Sequence, residues 1–368
     1  MLRRSVVVVG GGIIGLSIAL KLADAGHRTT VLDAAPGARA ASWAAGGMLA
    51  PHHERLNHGD LTDPVLWRMG AESLALWPDL AERLGGHAEV DLQLAGGLVP
   101  ECASHDVRQL AAAGAGLRAA GVAIEWLSAA DLRQRAPAIR GAGGGWWLPG
   151  GQVDPRRVLG KLQEACVAAD IALHYGVSAT AIEQDGVRLT DGTLHPADEV
   201  VLASGAWSPE LARLSGLDLV GEPVKGQMLR FEVADGLLPS FVHAAQAYLI
   251  PRTGCGLVVG ATMVESGFDR SEDPLAIAAL AAAARALIPA LAEAPIAESW
   301  TGLRPRLQGG LPRIRRERPG LITATGHFRN GILLAPLTAR LVGDLVGQVC
   351  SPEVRRSGSP VVSENTNR

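Results

Sequence analysis

The stretch SVVVVGGGIIGLSIALKLADAGHRTTVLD, residues 5–33, predicts a βαβ unit. Its β-branched run Ser5–Val9 is typical of a buried parallel strand. Apolar residues then recur at helical spacing from Ile13, and Gly26 follows as the residue that would end a helix. A second strand is predicted over His27–Leu32. The strand, the helix and the second strand occur in the order of a nucleotide-binding βαβ unit.

The glycines between the first strand and the helix satisfy the pattern GxGxxG. Gly10 permits a tight turn, Gly12 lets the backbone approach a pyrophosphate, and Gly15 lets the helix pack on the strand. The helix N-terminus adds free N–H groups and a favourable dipole for phosphate. Asp33 follows the second strand, where a carboxylate can accept hydrogen bonds from ribose hydroxyls. An acidic residue here disfavours the 2′-phosphate of NADP, but it does not separate NAD from FAD.

Two further features favour FAD. The small-residue segment Ala40–Ala50 follows the βαβ unit and would let backbone lie close to a large planar cofactor. Near the other end of the chain, a strand predicted over Leu321–Ala324 runs into Thr325, Gly326 and a helix. A cofactor that both chain ends contact suits an enclosed FAD better than an exchangeable NAD.

Composition excludes several other classes of protein. The 368 residues are 48% hydrophobic and carry a formal net charge of −3, so they offer no basic field for nucleic acid. The four cysteines are scattered without a CxxC pair, which predicts neither a zinc site nor a disulfide framework. Three glycines interrupt the N-terminal apolar run, so it is not a signal peptide, and no apolar stretch is long enough for a transmembrane span. We therefore expect a cytoplasmic protein.

The order of elements predicts an α/β protein with two discontinuous domains. Strand and helix patterns at both ends of the chain enclose a strand-rich middle. We expect residues 1–80, 150–220 and 300–350 to form the cofactor-binding domain, and residues 81–149 and 221–299 to form the substrate-binding domain. The polar tail, residues 351–368, is expected to be disordered. Residues 141–151, rich in Gly and Trp, are expected to form a loop.

Segments throughout the chain resemble the D-amino-acid oxidase family of FAD-dependent amine oxidases, and within it the glycine oxidases of the thiamine pathway. The matching segments span about residues 5 to 345 and are VVVVGGGIIGLSIALKLA, SWAAGGMLAP, GGQVDPRRVL, LASGAWS, PVKGQML, AYLIPR, VVGATMVESGFD, GLRPR and GHFRNGILLAP. The resemblance implies an FAD-binding Rossmann-like domain of the glutathione-reductase type, together with a substrate domain that contains a large mixed β-sheet.

The resemblance also implies a reaction. In the family, a hydride passes from the α-carbon of an amino acid to flavin N5, dioxygen reoxidises the flavin and yields H2O2, and the imine hydrolyses to an oxo acid such as glyoxylate plus ammonia. FAD is held non-covalently, and the family tends to form tetramers. Three alternatives stay open: a D-amino-acid dehydrogenase that passes electrons to a quinone, an oxidase of another small amine such as sarcosine, D-Ala or D-Pro, and a flavin-binding protein without turnover.

Residue by residue, the resemblance implies a substrate site without an acid/base residue. Arg304 corresponds to the arginine that holds the substrate carboxylate, Tyr248 to the tyrosine that assists it, Arg329 to a residue beside the flavin, and Met263 to a pocket wall. The implied cofactor-binding residues are Gly10, Gly12, Ile13, Ile14, Gly15, Asp33, Ala34, Ala41, Ser42, Gly46, Gly47, Met48, Val177, His327, Phe328, Arg329, Asn330, Gly331, Ile332 and Leu333. No metal site is implied.

Each of these residue types has an ordinary structural explanation as well. Arg304 is the first of six arginines in a stretch ending at Arg318, and such clusters are usually solvated loops. Tyr248 on a strand is usually a packing residue, and His327 is better explained as a backbone or packing residue than as a general base, since flavin accepts the hydride. Trp146 and Trp147 are explained by core packing.

One cluster only superficially resembles a metal site. His52, His53 and Glu54 are adjacent in sequence, and adjacent residues on a strand point to opposite faces, so we reject a metal site there.

Three positions depart from the family pattern. Asp33 stands where the family often has Glu, Gly46 stands where Ala is usual, and Gln246 stands where some relatives have His near the pocket. These differences leave the prediction of FAD binding intact, but they leave the preferred amine open.

Overall fold

The computed structural model describes residues 3–35, 40–53, 56, 63–101 and 107–348. The α-helices are α1 Ile13–Asp24, α2 Ala41–Ala44, α3 Pro64–Arg83, α4 His87–Val90, α5 Val107–Ala119, α6 Ala129–Arg135, α7 Pro155–Ala168, α8 Ser208–Leu214, α9 Pro274–Leu287 and α10 Gly331–Gly347. The 3₁₀ helices are Gly205–Trp207, Pro289–Leu291 and Phe328–Asn330.

Strands make up most of the remaining regular structure. They are β1 Ser5–Val9, β2 Arg28–Asp33, β3 Met48–Leu49, β4 Gly97–Pro100, β5 Glu125–Ser128, β6 Gly144–Leu148, β7 Gly151–Gln152, β8 Ala172–Tyr175, β9 Ala179–Glu183, β10 Gly186–Leu189, β11 Leu194–Pro196, β12 Glu199–Leu202, β13 Gly221–Phe231, β14 Val242–His243, β15 Tyr248–Arg252, β16 Gly256–Gly260, β17 Ile296–Leu307, β18 Arg313–Arg318 and β19 Leu321–Thr325.

A six-stranded sheet contains the predicted βαβ unit, in the order β18-β19-β12-β1-β2-β8. Its strands pair in parallel from β19 to β8, and only β18 is antiparallel. β1 lies in the middle with Val6, Val7 and Val8 almost fully buried, because a parallel sheet covered by other elements on both faces requires apolar side chains on both faces. The βαβ prediction and the α/β fold class are confirmed.

Asp-Pro pairs start three of the helices. Asp63, Asp154 and Asp273 each accept a hydrogen bond from a backbone N–H of the first turn, and a proline follows each of them. The proline lacks an N–H that would be unpaired at this position anyway, and its fixed φ suits the helix start. Such pairs can be identified in the sequence, because both residues act on the first turn that directly follows them.

Helix α10 contains a proline, and α3 compensates for it. Pro336 has no N–H to donate and its ring disturbs the preceding turn. The side chains of Ser73 and Trp77 both donate to the carbonyl oxygen of Leu333, at 2.6 and 3.1 Å, and the N–H of Leu337 donates to the Ser73 hydroxyl. The Leu333 carbonyl and the Leu337 N–H next to the proline therefore stay paired in the core, and these bonds link α10 to α3.

The second large sheet has eight strands in the order β17-β13-β16-β15-β14-β4-β6-β5. It is antiparallel apart from the β14–β4 pair, so it is mixed. β13 and β17 pair over 11 residues, from Gly221 opposite Leu307 to Phe231 opposite Ile296. The expected large mixed sheet is thus confirmed.

Two details of the second sheet differ from the sequence prediction. The segment 141–151, predicted as a loop, contains β6, whose residues are buried between β4 and β5. β17 was not predicted as a strand because IAESWTGLRPRL combines a proline, a glycine and two arginines, all of which suggest a loop. Pairing with a neighbouring strand overrides these local preferences.

The proposed division into domains stays a prediction. The two large sheets agree with it in outline, but β17 belongs to the eight-stranded sheet and extends across the proposed boundary at residue 300. The predicted tail, residues 351–368, lies outside the described residues, as do 102–106 before α5. Among the described residues, no helix is long and apolar enough to cross a membrane.

Candidate active site

A cavity of about 500 Å3 lies at the carboxyl-terminal edge of the six-stranded sheet. One wall consists of the segments that follow β1, β2, β12 and β19, and we call it the turn wall. The other wall consists of residues on β13, β15 and β17 of the second sheet, and we call it the strand wall. Open α/β sheets bind ligands at the carboxyl ends of their strands, because loops and helix N-termini converge there.

Two glycines of the turn after β1 have no room for a side chain. Gly10 has φ 119°, in the left-handed region, and a Cβ on it would overlap the carbonyl of Ala203. A Cβ on Gly15 would overlap the Gly10 carbonyl, so α1 lies directly against the turn. Gly12 lines the cavity and precedes α1. Backbone therefore forms this part of the wall, which suits close contact with a pyrophosphate.

Two side chains hold the turn from outside. The Asp33 carboxylate accepts from the N–H of Gly11 at 2.5 Å and from the N–H of Ala35 at 2.8 Å. The Ser42 hydroxyl accepts from the N–H of Ile13 at 3.0 Å, which pairs one of the free donors of the α1 N-terminus. Asp33 lines the cavity at the end of β2, where a ribose would lie.

The segment Ala40–Ala50 also lines the cavity, as its small residues predicted. A buried ion pair supports it from behind. Arg252 donates to the carbonyl oxygens of Ala45 and Gly46 at 3.2 Å, and its guanidinium lies 3.5 Å from the Asp154 carboxylate. Both side chains are nearly inaccessible to solvent, and burial lowers the pKa of Arg252. Asp154 also caps α7, so one carboxylate fixes both a helix and this segment.

The segment after β19 brings a helix N-terminus to the cavity. Residues 327–332 line it, and the 17-residue α10 begins at Gly331. Phe328 has φ 50°, an unusual value for a residue with a side chain, so the bend into α10 is tight. His327 is buried with its Nε2 2.9 Å from the Thr338 hydroxyl, and burial lowers its pKa to about 3. His327 is therefore neutral at physiological pH.

The strand wall presents the two residues predicted to bind a carboxylate. Arg304 lines the cavity from β17 and donates to the Thr262 carbonyl at 3.0 Å. Its guanidinium makes none of the salt bridges found among the described residues. Of the other five arginines up to Arg318, four pair with carboxylates, and Arg318 donates to the Ser215 carbonyl away from the cavity lining. Arg304 therefore differs from the solvated cluster that its position suggested.

Tyr248 lines the cavity from β15, with its hydroxyl 3.7 Å from the sulfur of Met228. The ring of His243 meets it edge-on at 6.1 Å between centroids. A phenol and a guanidinium thus lie on the same wall, where each can donate to one anionic group.

The cavity does not include every predicted residue. Arg329 lines it, but Met263 does not: its side chain is 56% exposed. The backbone of Thr262 and Val264 on either side is bonded to β13, and the Met263 side chain between them is open to solvent. The structure therefore does not support a pocket-wall role for Met263.

Two of the predicted cofactor residues also lie outside the lining, for different reasons. Gly15 lies behind the turn, where it admits α1. Leu333 is buried in the core, where its carbonyl meets α3. The other implied cofactor residues all line the cavity.

Several lining residues were not predicted. They include Gly205–Trp207 after β12, Gly226 and Met228 on β13, His243, Arg270 and Gly302. The Ser204-Gly205 pair after a predicted parallel strand was a usable signal. The histidine that lines the cavity here is His243 on β14, whereas Gln246, at the position where some relatives have His, is exposed.

The charges that line the cavity are unevenly distributed. Arg270, Arg304 and Arg329 line it, against the single carboxylate of Asp33 at the glycine-rich turn. Such a cavity favours an anionic ligand, because a guanidinium binds a carboxylate or a phosphate with charge-assisted hydrogen bonds. Among the described residues, no group of three or more His, Cys, Asp or Glu could hold a metal ion.

Comparison with known proteins links this cavity to a family. Residues 5–345 match the family described as FAD dependent oxidoreductase (DAO). The chain is similar to glycine oxidase of Geobacillus kaustophilus, with 34% identity over 94% of this chain and 93% of that protein. It is 35% identical to glycine oxidase of Pseudomonas putida, over 94% of this chain and 95% of that protein.

The chain is also similar to part of a longer protein and to a solved structure. The bifunctional protein ThiO/ThiG of Synechocystis sp. is 36% identical over 93% of this chain, which spans 51% of that protein. The crystal structure of glycine oxidase from Geobacillus kaustophilus superposes with a TM-score of 0.86 at 32% identity, over 94% of this chain and 95% of that chain.

Proposed function

Because the chain belongs to the DAO family of FAD dependent oxidoreductases, we propose that it is an FAD-dependent oxidase of glycine and other small amino acids. Its products would be H2O2 and an imine, which hydrolyses to an oxo acid such as glyoxylate plus ammonia. The observation that carries this proposal is that Arg304 and Tyr248 line the same cavity as the glycine-rich turn. We further propose that the reaction serves thiamine thiazole synthesis.

The turn wall fits FAD. Asp33 would accept hydrogen bonds from the adenosine ribose, the backbone around Gly12 would approach the pyrophosphate, and the α1 N-terminus would stabilise its charge. The segment Ala40–Ala50 and residues 327–332 would lie along the flavin, where the α10 N-terminus would stabilise negative charge. When bound, FAD supplies the hydride acceptor and passes the electrons to dioxygen.

The strand wall would hold the amino acid. The Arg304 guanidinium is planar and always charged, so it can bind a carboxylate with two parallel hydrogen bonds. The Thr262 carbonyl, which accepts from Nη1, restricts rotation of the guanidinium. The Tyr248 hydroxyl can add one directional bond. Fixing the carboxylate in this way sets the position of the neighbouring α-carbon, from which the hydride leaves.

Among the described residues, the titratable side chains of the lining besides Tyr248 and the arginines are Asp33, His327 and His243, which lies beside Tyr248. Asp33 lies at the opposite, glycine-rich end and is engaged by two backbone N–H groups. His327 is buried and directed to Thr338. These side chains do not need to take up a substrate proton if the amino acid reacts with its amine neutral. The roles of Arg304, Tyr248 and Arg329 remain part of our proposal.

The test is an amine panel on the FAD-loaded protein. Glycine, sarcosine, D-alanine and D-proline under air should yield H2O2, with glycine among the good substrates. Bleaching of the visible flavin band by glycine without air, followed by peroxide on admission of air, would separate oxygen from a quinone as acceptor. Dye reduction without peroxide would instead indicate a quinone-linked dehydrogenase. An unbleached flavin with all four amines would refute amine oxidation.

The assembly is a separate proposal. By resemblance to the family we propose a homotetramer. Light scattering coupled to gel filtration should give about four times the 38.2 kDa chain mass, and a monomer mass would contradict it.

A further inference from the structure

The Arg304 guanidinium lies directly on a glycine. β13 and β17 pair so that Arg304 is opposite Val224, and its side chain reaches diagonally to Gly226. A Cβ on Gly226 would overlap both terminal nitrogens and the central carbon of the guanidinium. These atoms are the carboxylate-binding end of the side chain, so any larger residue at 226 would displace it.

The Tyr248 ring is seated in the same way. Tyr248 is opposite Gly260 in the antiparallel pair β15–β16. A Cβ on Gly260 would lie 2.6–2.7 Å from three atoms of the phenol, including its oxygen. From the turn wall, a Cβ on Gly46 would lie 3.0 Å from the same ring and 2.8 Å from Ile250 Cδ1. Glycines therefore make room for the phenol from both walls.

The backbone does not explain why these residues are glycines. Gly10 and Gly47 have positive φ values of 119° and 85°, which side chains disfavour. Gly46 and Gly226 are not among the residues with positive φ, so their backbone conformations are open to other residues. Glycine also costs stability within a strand, because it loses more backbone freedom on folding. What these three positions require is space for Arg304 and Tyr248.

We propose that Gly226, Gly260 and Gly46 are specificity-determining positions, which set how deeply the Arg304 guanidinium and the Tyr248 hydroxyl lie in their wall. The proposal rests on the proposed function, in which these two groups bind the substrate carboxylate. The depth of the clamp sets the distance from the carboxylate to the reacting carbon. The three glycines therefore select amino acids whose carboxylate is bonded directly to the reacting carbon, such as glycine and D-alanine. Longer amino acids such as β-alanine, in which another carbon separates the two, are disfavoured.

The experiment compares Gly226→Ala with Gly160→Ala in the FAD-loaded enzyme. Gly160 lies on α7, and a Cβ there would meet no heavy atom within 4 Å, so this variant adds the same methyl group without displacing anything. For Gly226→Ala we expect KM for glycine and Kd for acetate, followed by the visible flavin band, to rise about tenfold or more. FAD content should stay at the wild-type level. Gly160→Ala should leave KM and Kd unchanged.

A double-mutant cycle tests whether the effect acts through the arginine. In an Arg304→Ala background, Gly226→Ala should change KM little, because no guanidinium remains to be displaced. If the two effects instead add, or if Gly226→Ala leaves both KM and Kd at wild-type values, the proposal is wrong.

A milder variant covers the case in which Gly226→Ala fails to bind FAD. A Cβ on Gly46 would meet side-chain atoms of Ile250, Tyr248 and Met228 but no backbone, so Gly46→Ala should fold and should raise KM for glycine by about threefold to tenfold. An unchanged KM in this variant would also overturn the proposal. A wild-type enzyme that neither oxidises glycine nor binds acetate would refute the proposed function itself, which is a distinct outcome.

Discussion

The two walls of the cavity are built by different means. The turn wall presents backbone: glycines, N–H groups and the N-termini of α1 and α10. The strand wall presents side chains, chiefly Arg304 and Tyr248, which lie over glycines of neighbouring strands. The first is formed by short segments close in sequence to the strands they follow. The second depends, at Arg304, on pairing between strands that are more than 60 residues apart.

This difference predicts how each wall responds to change. A backbone surface tolerates few side chains, since an added methyl group collides with main-chain atoms that cannot move. A side-chain surface keeps its fold when a functional group is removed, but it loses binding. Substitutions of the turn-wall glycines that are enclosed by backbone, such as Gly10 and Gly15, should therefore affect cofactor retention and stability. Removal of a functional side chain from the strand wall should affect KM.

The largest effect is expected in the turn wall, for Gly15→Ala. The new Cβ would overlap the Gly10 carbonyl and force α1 off the turn, so we expect FAD to be lost and the free energy of unfolding to fall by more than about 3 kcal/mol. FAD content by absorbance and urea denaturation measure both, with Gly160→Ala as control. A variant that retained FAD at wild-type affinity would show that this turn is not built from rigid backbone.

The second-largest effect is expected for Arg252→Ala. It leaves Asp154 as a buried carboxylate without its guanidinium and removes two donors from the Ala45 and Gly46 carbonyls. We expect a loss of about 3–5 kcal/mol of stability together with weaker FAD binding. Arg157→Ala removes a more exposed partner of the same carboxylate, at 4.0 Å, and should cost less than about 1 kcal/mol. Equal losses in the two variants would contradict the bracing role of Arg252.

Arg304→Ala should show the opposite pattern, because it should weaken substrate binding and leave FAD binding and stability nearly unchanged. Losing a charge-assisted bidentate pair should raise KM for glycine by a factor corresponding to about 2–4 kcal/mol, while FAD stays bound and stability changes little. Steady-state kinetics and a thermal melt separate the two effects. Arg315→Ala, in the same arginine-rich stretch but exposed and paired with Glu317, should leave KM unchanged. An unaltered KM in Arg304→Ala would remove the carboxylate clamp from the proposed function.

The buried His327 predicts a pH dependence of stability. Its pKa is lowered to about 3 in the folded protein, against 6.5 for the free side chain. Between these two pH values the unfolded chain binds a proton at His327 that the folded protein does not bind. The contribution of His327 to the free energy of unfolding is therefore fully present above pH 6.5 and is lost as the pH drops toward 3. From pH 7 to 5 this amounts to on the order of 2 kcal/mol. Urea denaturation of His327→Gln at both pH values should show a correspondingly smaller loss.

A second buried histidine contributes to the same pH dependence. His53 is also buried with its pKa lowered to about 3, so part of the pH dependence should remain in His327→Gln. An identical pH dependence in wild type and variant would mean that His327 titrates normally.

The smallest effect is expected for Met263→Ala. Its side chain is mostly exposed and outside the cavity lining, so KM for glycine should change by less than about twofold, as for an ordinary surface substitution. A tenfold rise would show that Met263 contacts the substrate when it is bound, as the family resemblance implies.

Local features of this protein could be predicted from its sequence. The βαβ unit, the positions of Gly10 and Asp33, and the starts of α7 and α9 all follow from patterns within a few residues. β-branched runs, glycine turns and Asp-Pro caps act on neighbouring atoms, so their physical effect can be identified without knowing the fold. The family motifs extended this prediction to the strand wall, but only by resemblance.

Only the tertiary structure decided the strand wall and its geometry. β17 contains a proline, a glycine and two arginines, and it is a strand because 11 residues pair with β13. That same register places Arg304 over Gly226 and leaves it as the arginine that faces the cavity, while the other five of its stretch have other partners. Met263 is likewise outside because of the backbone pairing on either side of it. The sequence by itself therefore determined the glycine-rich turn. Long-range strand pairing, whose free energy depends on partners far along the chain, decided where the carboxylate clamp lies.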